Sequence, residues 1–174
     1  YIPILPIILH GSPVPDENGN LEERNQLTTT SYFAGKKVIL FGLPGAFTPT
    51  CTNEMLPTYE ELYDKFVKDF GIDAIYCTSV NDDFVMEAWA KSLGVTKVQM
   101  IPDGNGVIAQ ALGMLVKKEN LGFGNRSWRY AAYVDDGVVK ILLEEPNKEN
   151  NYELDPYEVC DPATMYKEMK KLFS

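Results

Sequence analysis

A cysteine lies where the sequence predicts the junction of a strand and a helix. Residues 37–43 form an apolar, partly β-branched run that is typical of a buried strand. After Cys51, apolar residues recur at steps of three and four, as in an amphipathic helix: Met55, Leu56, Tyr59, Leu62, Phe66 and Phe70. We therefore expect Cys51 in the first turn of that helix. Unpaired N–H groups and the helix dipole favour an anion there, and hence the reactive thiolate.

The loop before this cysteine restricts what surrounds it. Thr48 precedes Cys51 by three residues, so its hydroxyl can face a molecule that approaches the sulfur, and either Thr48 or Thr50 can cap the helix. Pro44 and Pro49 stiffen the loop and remove two backbone donors. An isolated cysteine is more often a small buried hydrophobic residue. A stiff loop that presents a thiolate, a hydroxyl and free amides nevertheless indicates a reactive centre.

The octapeptide PGAFTPTC (residues 44–51) resembles the active-site signature of peroxiredoxins, P-x-x-x-T-x-x-C, in the form of the Prx5 subfamily, the type II peroxiredoxins. Two distant segments, 79–82 and 124–131, resemble the same subfamily in the same order. The likeness extends from about Val38 to the C-terminus. It implies a thiol-dependent peroxidase that reduces hydrogen peroxide and alkyl hydroperoxides and has a thioredoxin-like fold.

The order of the predicted elements agrees with that fold. Strands that alternate with helices, followed by a hairpin at 136–137 and a last helix, predict an α/β sandwich, a central mixed sheet flanked by helices. We expect one domain over residues 1–174. The helix after Cys51 is predicted to kink at Pro57 and to end near Gly71. Strands are predicted at 27–33, 37–43, 72–80, 97–101, 130–134 and 138–143, and further helices begin at Asp82, Val107 and Asp161.

Charge and hydropathy exclude several classes of function. The formal net charge of −9 argues against a nucleic-acid surface, which requires a basic footprint. The apolar segment Ile2–Leu9 is interrupted by two prolines and is far too short to span a membrane. We expect it to be an edge segment packed on the body rather than the remnant of a leader. Because the chain begins at Tyr1, we expect a processed or trimmed product.

The three cysteines point to a reducing compartment. They cannot all pair with one another, and the sequence has no CxxC or Cys/His cluster, which disfavours a disulfide-stapled secreted domain and a zinc site. We expect a cytoplasmic protein, or an organellar one whose leader is already absent. His10 is the only histidine and lies far from Cys51, so a Cys–His hydrolase is a poor candidate. No cofactor or metal is expected.

The resemblance assigns roles to particular residues. Cys51 is the nucleophile, Thr48 holds the peroxide, and Pro44 covers the sulfur and limits water. A guanidinium near the sulfur stabilises the thiolate and binds the peroxide oxygens with a fixed fork. In peroxiredoxins this arginine directly precedes the strand after the glycine-rich loop, which assigns it to Arg129. Arg126 is then a supporting residue that fixes the loop or a carboxylate, although either arginine alone could be a solvated surface charge.

The sequence leaves open whether a second cysteine of the chain or an external thiol reduces the oxidised Cys51 sulfur. Cys160, before the last helix, resembles the resolving cysteine of two-cysteine members, but the loop at 146–156 departs in length and charge. Cys77 matches a cysteine of some plant-like members, yet it is mid-strand and reads as an inert buried thiol. We favour a one-cysteine cycle in which glutathione, glutaredoxin or thioredoxin reduces Cys51.

Two other functions fit the sequence less well than a peroxidase does. A non-catalytic thioredoxin-like interaction module is disfavoured because Thr48 and both arginines are present. A disulfide exchanger normally needs a second cysteine two or three residues away, which Cys51 lacks. The resemblance also suggests a homodimer built from loops around the active site. Phe47 and Phe84 are either its contact residues or ordinary core aromatics.

Overall fold

The computed structural model describes residues 32–174 and the two short strands at 8–10 and 26–28. The strands are β1 (Ile8–His10), β2 (Gln26–Thr28), β3 (Lys37–Gly42), β4 (Ala74–Ser79), β5 (Gln99–Pro102), β6 (Leu115–Lys117), β7 (Asn125–Ser127), β8 (Tyr130–Asp135) and β9 (Val138–Glu144). A π-helical turn (Cys51–Met55) leads into α1 (Leu56–Phe70), and the other helices are α2 (Asp83–Ser92), α3 (Val107–Ala111) and α4 (Pro162–Leu172). A 3-10 turn spans Glu119–Leu121.

The main sheet has five strands in the order β5-β4-β3-β8-β9. Strands β3, β4 and β5 are parallel, whereas β8 runs antiparallel to β3 and β9 antiparallel to β8. The prediction of an α/β protein with a central mixed sheet is therefore confirmed. Two further pairs, β1 with β2 and β6 with β7, form small antiparallel ladders.

Strand β3 is the middle strand of the sheet, and every one of its residues after Lys37 is buried. Its side chains alternate between two cores, as successive residues of a strand must. Ile39 and Phe41 join the core that packs under α1, α2 and α4, and Val38 and Leu40 join the core on the opposite face. The strand is therefore fixed on both faces, which gives the loop after Gly42 a rigid base.

Helix α1 ends as predicted but begins differently. Gly71 adopts a left-handed conformation with φ 67° and ends the helix. The expected irregularity lies just before Pro57 rather than at it: the N–H of Leu56 bonds to the carbonyl of Cys51, five residues back. Because Pro57 has no N–H, it cannot make the regular bond to the carbonyl four residues earlier, and the wider π turn accommodates this loss.

Several predicted boundaries need correction. The predicted strand at 27–33 is wrong at its end, since Tyr32 and Phe33 are helical. Strands β6 and β7 were not predicted. The predicted edge segment at residues 2–9 lies mostly outside the described residues. Of this segment, only Ile8 and Leu9 are described, and both belong to β1. In the part of the chain that the structure describes, none of the helices has the length and apolarity to cross a bilayer.

Candidate active site

The loop between β3 and the π turn is anchored to residues at and just after the end of β4. The N–H of Ala46 donates to Oδ1 of Asn81 at 3.0 Å, and the hydroxyl of Ser79 donates to the same oxygen at 2.6 Å. Phe47 adopts a left-handed conformation with φ 65°, which a residue other than glycine holds only where its surroundings enforce it. The loop therefore has a defined shape.

Cys51 opens the π turn at the end of this loop. Helical residues begin at Pro49, so Cys51 lies in the first turn, as predicted. Its side chain has no exposed surface. The indole N–H of Trp89 donates to Oγ1 of the neighbouring Thr52 at 3.0 Å, and this bond ties the turn to α2.

Pairing of β8 with β3 brings an arginine to the cysteine. Tyr130 is paired with Gly42, so Arg129 lies just beyond the end of β3, beside the loop. Gly42 is required here because a Cβ at that position would lie 2.2 Å from the Tyr130 ring. Nη1 of Arg129 donates to Sγ of Cys51 at 3.4 Å. The two residues that the sequence placed together are therefore in contact.

Four groups besides the sulfur surround the Arg129 guanidinium, whose side chain is only 1% exposed. Nη2 donates to Oδ1 of Asp155 at 2.5 Å, Nε donates to the carbonyl of Pro156 at 3.1 Å, and Nη1 lies 3.6 Å from Sδ of Met55. The ring of Tyr157 lies 5.6 Å from the guanidinium carbon. Burial lowers the pKa of Arg129, but the negative charges at Cys51 and Asp155 more than offset this and raise it above its ordinary value. The side chain is a permanent cation beside the sulfur.

Arg126 contacts the loop rather than the sulfur. Its Nε donates to the carbonyl of Phe123 at 3.0 Å, and its Nη1 donates to the carbonyl of Pro44 at 3.4 Å. A Cβ on Gly45 would lie 2.9 Å from Nη1, so glycine allows this approach. Burial lowers the pKa of Arg126, and the charge at Cys51 partly opposes that effect.

Thr48 makes a bond within the loop. Its hydroxyl donates to the carbonyl of Gly45 at 2.7 Å, and its own carbonyl accepts the N–H of Thr52 at 2.9 Å. The hydroxyl oxygen keeps lone pairs that can accept another hydrogen bond. Of the two threonines that could cap the helix, Thr50 makes no side-chain capping bond. Pro44 is buried at the start of the loop.

The chain that forms this site, a buried thiol next to a fixed guanidinium, is similar to known proteins. The Redoxin family model matches residues 9–158 of the chain. Peroxiredoxin y4vD of Sinorhizobium fredii is 55% identical over 143 residues, which cover 82% of this chain and 76% of that protein. The chain belongs to the peroxiredoxin family. Members of this family are thiol-dependent peroxidases, and the predicted enzyme class is confirmed.

Solved structures show the same fold for this peroxiredoxin. The antioxidant protein of Plasmodium falciparum, a 1-Cys peroxiredoxin, has a TM-score of 0.85 at 37% identity and covers 90% of this chain and 88% of that one. Peroxiredoxin 5 from Alvinella pompejana has a TM-score of 0.69 at 35% identity, with 84% of this chain and 88% of that one covered. These matches confirm the predicted thioredoxin-like fold and the likeness to the Prx5 subfamily.

The other two cysteines of the peroxiredoxin are free and buried. Cys77 lies in β4, and burial, together with the charge at Cys51, raises its pKa well above the ordinary value. Cys160 precedes α4, and burial raises its pKa strongly, with a further contribution from the hydrogen bond and charge of Glu145. Both side chains are therefore neutral thiols near pH 7 and weak nucleophiles.

Sequence reasoning missed the groups around Arg129 other than Cys51. A buried guanidinium requires a counter-ion, so the sequence could predict that Arg129 has a carboxylate partner, but not which one. The chain has 25 acidic residues, and nothing local singles out Asp155. Asp155 and Pro156 lie in the segment at 146–156, whose length and charge differ from the family pattern, and Tyr157 directly follows it. That departure was the available signal that the segment has its own role.

Proposed function

We propose that Cys51 is the peroxidatic nucleophile of this enzyme. Its thiolate attacks one oxygen of a hydroperoxide, a sulfur–oxygen bond forms as the O–O bond breaks, and the departing oxygen takes up a proton to leave as water or an alcohol. The sulfur is oxidised to a sulfenic acid and the peroxide is reduced. The 3.4 Å contact between the Arg129 guanidinium and the Cys51 sulfur carries this proposal.

The surrounding residues supply complementary interactions in this proposal. Arg129 stabilises the thiolate and the charge that develops on the peroxide oxygens. Thr48 accepts a hydrogen bond from the hydroperoxide, because its own proton is directed to Gly45. Pro44 covers the sulfur, and Arg126 supports Pro44 through its carbonyl. Exclusion of water strengthens each of these interactions.

The sulfenic acid is proposed to be reduced in a one-cysteine cycle. A thiol from glutathione, glutaredoxin or thioredoxin displaces the hydroxyl group from Cys51 as water and forms a mixed disulfide, which a second thiol then reduces. The burial and raised pKa of both Cys77 and Cys160 support this scheme. The structural relative from Plasmodium falciparum is described as a 1-Cys peroxiredoxin. A reducing compartment supplies such thiols.

The enzyme is proposed to be a homodimer of one-domain subunits in contact near the active site. Phe47 is 55% exposed and Phe84 is 53% exposed, so the interpretation of these residues as ordinary core aromatics is wrong. Large aromatic side chains at the surface are typical of interface centres. Phe47 lies on the loop that carries Thr48, which would bring the dimer contact next to the site.

Mass spectrometry of the three cysteines after one equivalent of hydrogen peroxide tests the proposal. We expect one added oxygen on Cys51 alone, and a glutathione adduct on Cys51 when glutathione is present. A disulfide between Cys51 and either other cysteine would establish a two-cysteine cycle instead. Oxidation that begins at Cys77 or Cys160 would overturn the assignment of the nucleophile.

A further inference from the structure

Three consecutive residues enclose the side of the Arg129 guanidinium that faces away from the sulfur. Asp155 accepts a hydrogen bond from Nη2 at 2.5 Å, and the carbonyl of Pro156 accepts one from Nε at 3.1 Å. The ring of Tyr157 lies 5.6 Å from the guanidinium carbon, and its hydroxyl lies 3.4 Å from that of Thr58 on α1. Two of the three guanidinium nitrogens, Nη2 and Nε, are therefore held by this segment, and the third, Nη1, faces Cys51.

The segment that carries these residues is itself anchored by a buried carboxylate. Glu145, only 1% exposed, accepts the N–H groups of Glu158, Val159 and Cys160 at 2.5, 2.8 and 2.9 Å. Its own N–H donates to the carbonyl of Arg129 at 3.2 Å. The same residue thus contacts the arginine backbone and the segment that orients the arginine side chain.

Asp155 and the Cys51 thiolate share one cation. The Arg129 side chain is 1% exposed and that of Asp155 is 40% exposed, so the carboxylate neutralises a buried charge from the solvent side. Two anions on the same guanidinium repel each other, and each weakens the stabilisation of the other. Asp155 therefore exerts two separable effects, one on the geometry of the fork and one on its charge.

We propose that Asp155 is a positioning residue for peroxide reduction. Its carboxylate fixes the Arg129 guanidinium against Cys51, and it also competes with the Cys51 thiolate for the positive charge of that guanidinium. The inference rests on the proposed roles of Cys51 and Arg129. Asp155 does not contact the sulfur or the substrate and acts through the arginine. The other charged groups that act on Cys51 from the neighbouring elements are Arg126 and the buried Lys118, and the titratable but neutral Cys77 thiol of β4 also faces it.

Two substitutions separate the effects of geometry and charge. Asp155→Asn keeps an oxygen acceptor for Nη2 and removes the charge, whereas Asp155→Ala removes both. The charge effect predicts that both variants move the pH midpoint of Cys51 alkylation to a lower pH, because an anion that opposes the thiolate is removed. The geometric effect predicts that only Asp155→Ala loses kcat/KM for hydrogen peroxide, by about tenfold or more, while Asp155→Asn stays within about threefold of the parent.

Iodoacetamide alkylation of Cys51 across pH, read on its peptide by mass spectrometry, measures the midpoint, and peroxide consumption measures kcat/KM. Glu153→Gln removes one charge from the same loop at an exposed position and is the matched control, with neither readout expected to move. In an Arg129→Met background, Asp155→Ala should cause no further loss of kcat/KM, because the aspartate acts through the arginine.

An unchanged alkylation midpoint in both Asp155 variants would overturn the charge effect, and equal kcat/KM in the Asn and Ala variants would overturn the geometric one. A loss that persists in the Arg129→Met background would also contradict the proposal. Alkylation needs no peroxidase activity. If the parent protein fails to consume peroxide, the proposed function fails, while the coupling of Asp155 to Cys51 is still decided by the alkylation data.

Discussion

Nη1 of Arg129 lies 3.4 Å from Sγ of Cys51, although 78 residues separate the two in the chain. The contact depends on the pairing of Gly42 with Tyr130, which aligns the end of β3 with the start of β8. A guanidinium in this position presents a rigid, planar set of donors, whereas a lysine ammonium would be a single point on a flexible stem.

Replacing each arginine singly by lysine tests which one serves the sulfur. We expect Arg129→Lys to lower kcat/KM for hydrogen peroxide by about 100-fold, because the fork and its alignment are lost while the charge remains. Arg126→Lys should lower it by less than about tenfold, because the hydrogen bonds of Arg126 go to loop carbonyls and not to the sulfur. Steady-state kinetics of the two purified variants provide the measurement. A large loss in the Arg126 variant alone would reverse the assignment.

The one-cysteine cycle predicts that neither Cys77 nor Cys160 is needed for turnover. A Cys77→Ser, Cys160→Ser double variant should keep glutathione-dependent peroxide consumption within about threefold of the parent, since both thiols are buried and protonated. Circular dichroism establishes that the variant is folded, and Cys51→Ser is the inactive control. A folded double variant without any activity would refute the scheme.

Local signals explain why much of the fold could be predicted from the sequence. Asp161 caps α4 by accepting the N–H of Thr164, and Pro162 occupies its first turn. Asp82 caps α2 in the same way. These helix starts, like the turn at 136–137, are encoded within a few residues and need no knowledge of the rest of the chain.

The missed features depend on distant parts of the chain. Strands β6 and β7 have three residues each, and β7 contains Asn125 and Arg126, so no hydrophobic alternation marks them. The ion pair of Arg129 with Asp155 spans 26 residues and depends on the path of the loop at 146–156. In the candidate site, the motif around Cys51 therefore gave the nucleophile, and only the fold could identify the partners of its arginine.

Glu145 is expected to be important for stability because it satisfies three backbone N–H groups in a buried position. Glu145→Gln leaves one oxygen acceptor and introduces donors that face other donors, so we expect the free energy of unfolding to fall by about 2–4 kcal/mol. Glu144→Gln, the adjacent control, removes only a surface ion pair with Lys148 and should cost less than about 0.5 kcal/mol. Urea unfolding compares the two, and equal losses would contradict the expectation.

Two buried tyrosines should respond in opposite ways to loss of their hydroxyl groups. The hydroxyl of Tyr59 donates to the carbonyl of Cys160 at 2.6 Å, so Tyr59→Phe should lower the free energy of unfolding by about 1–2 kcal/mol. The hydroxyl of Tyr130 has no hydrogen-bond partner among the described residues, so Tyr130→Phe should leave stability unchanged or raise it by up to about 1 kcal/mol. Denaturant titrations of both variants provide the check. A substantial loss in Tyr130→Phe would indicate a partner outside the described residues.

Buried tyrosines also predict a loss of stability at alkaline pH. Burial, with smaller contributions from Asp135 and Asp73, raises the pKa of Tyr133 from 10.0 to about 12. Below pH 10 both folded and unfolded chains keep the proton, so the full stability is present. Between pH 10 and 12 only the unfolded chain releases it, and the free energy of unfolding falls by about 1.4 kcal/mol per pH unit for each such tyrosine. Tyr133→Phe should make this decline shallower by that amount and leave the pH dependence of stability below pH 10 parallel to that of the parent. Urea unfolding on either side of pH 10 measures both slopes. An unaltered alkaline slope would mean that Tyr133 titrates alike in the folded and unfolded states.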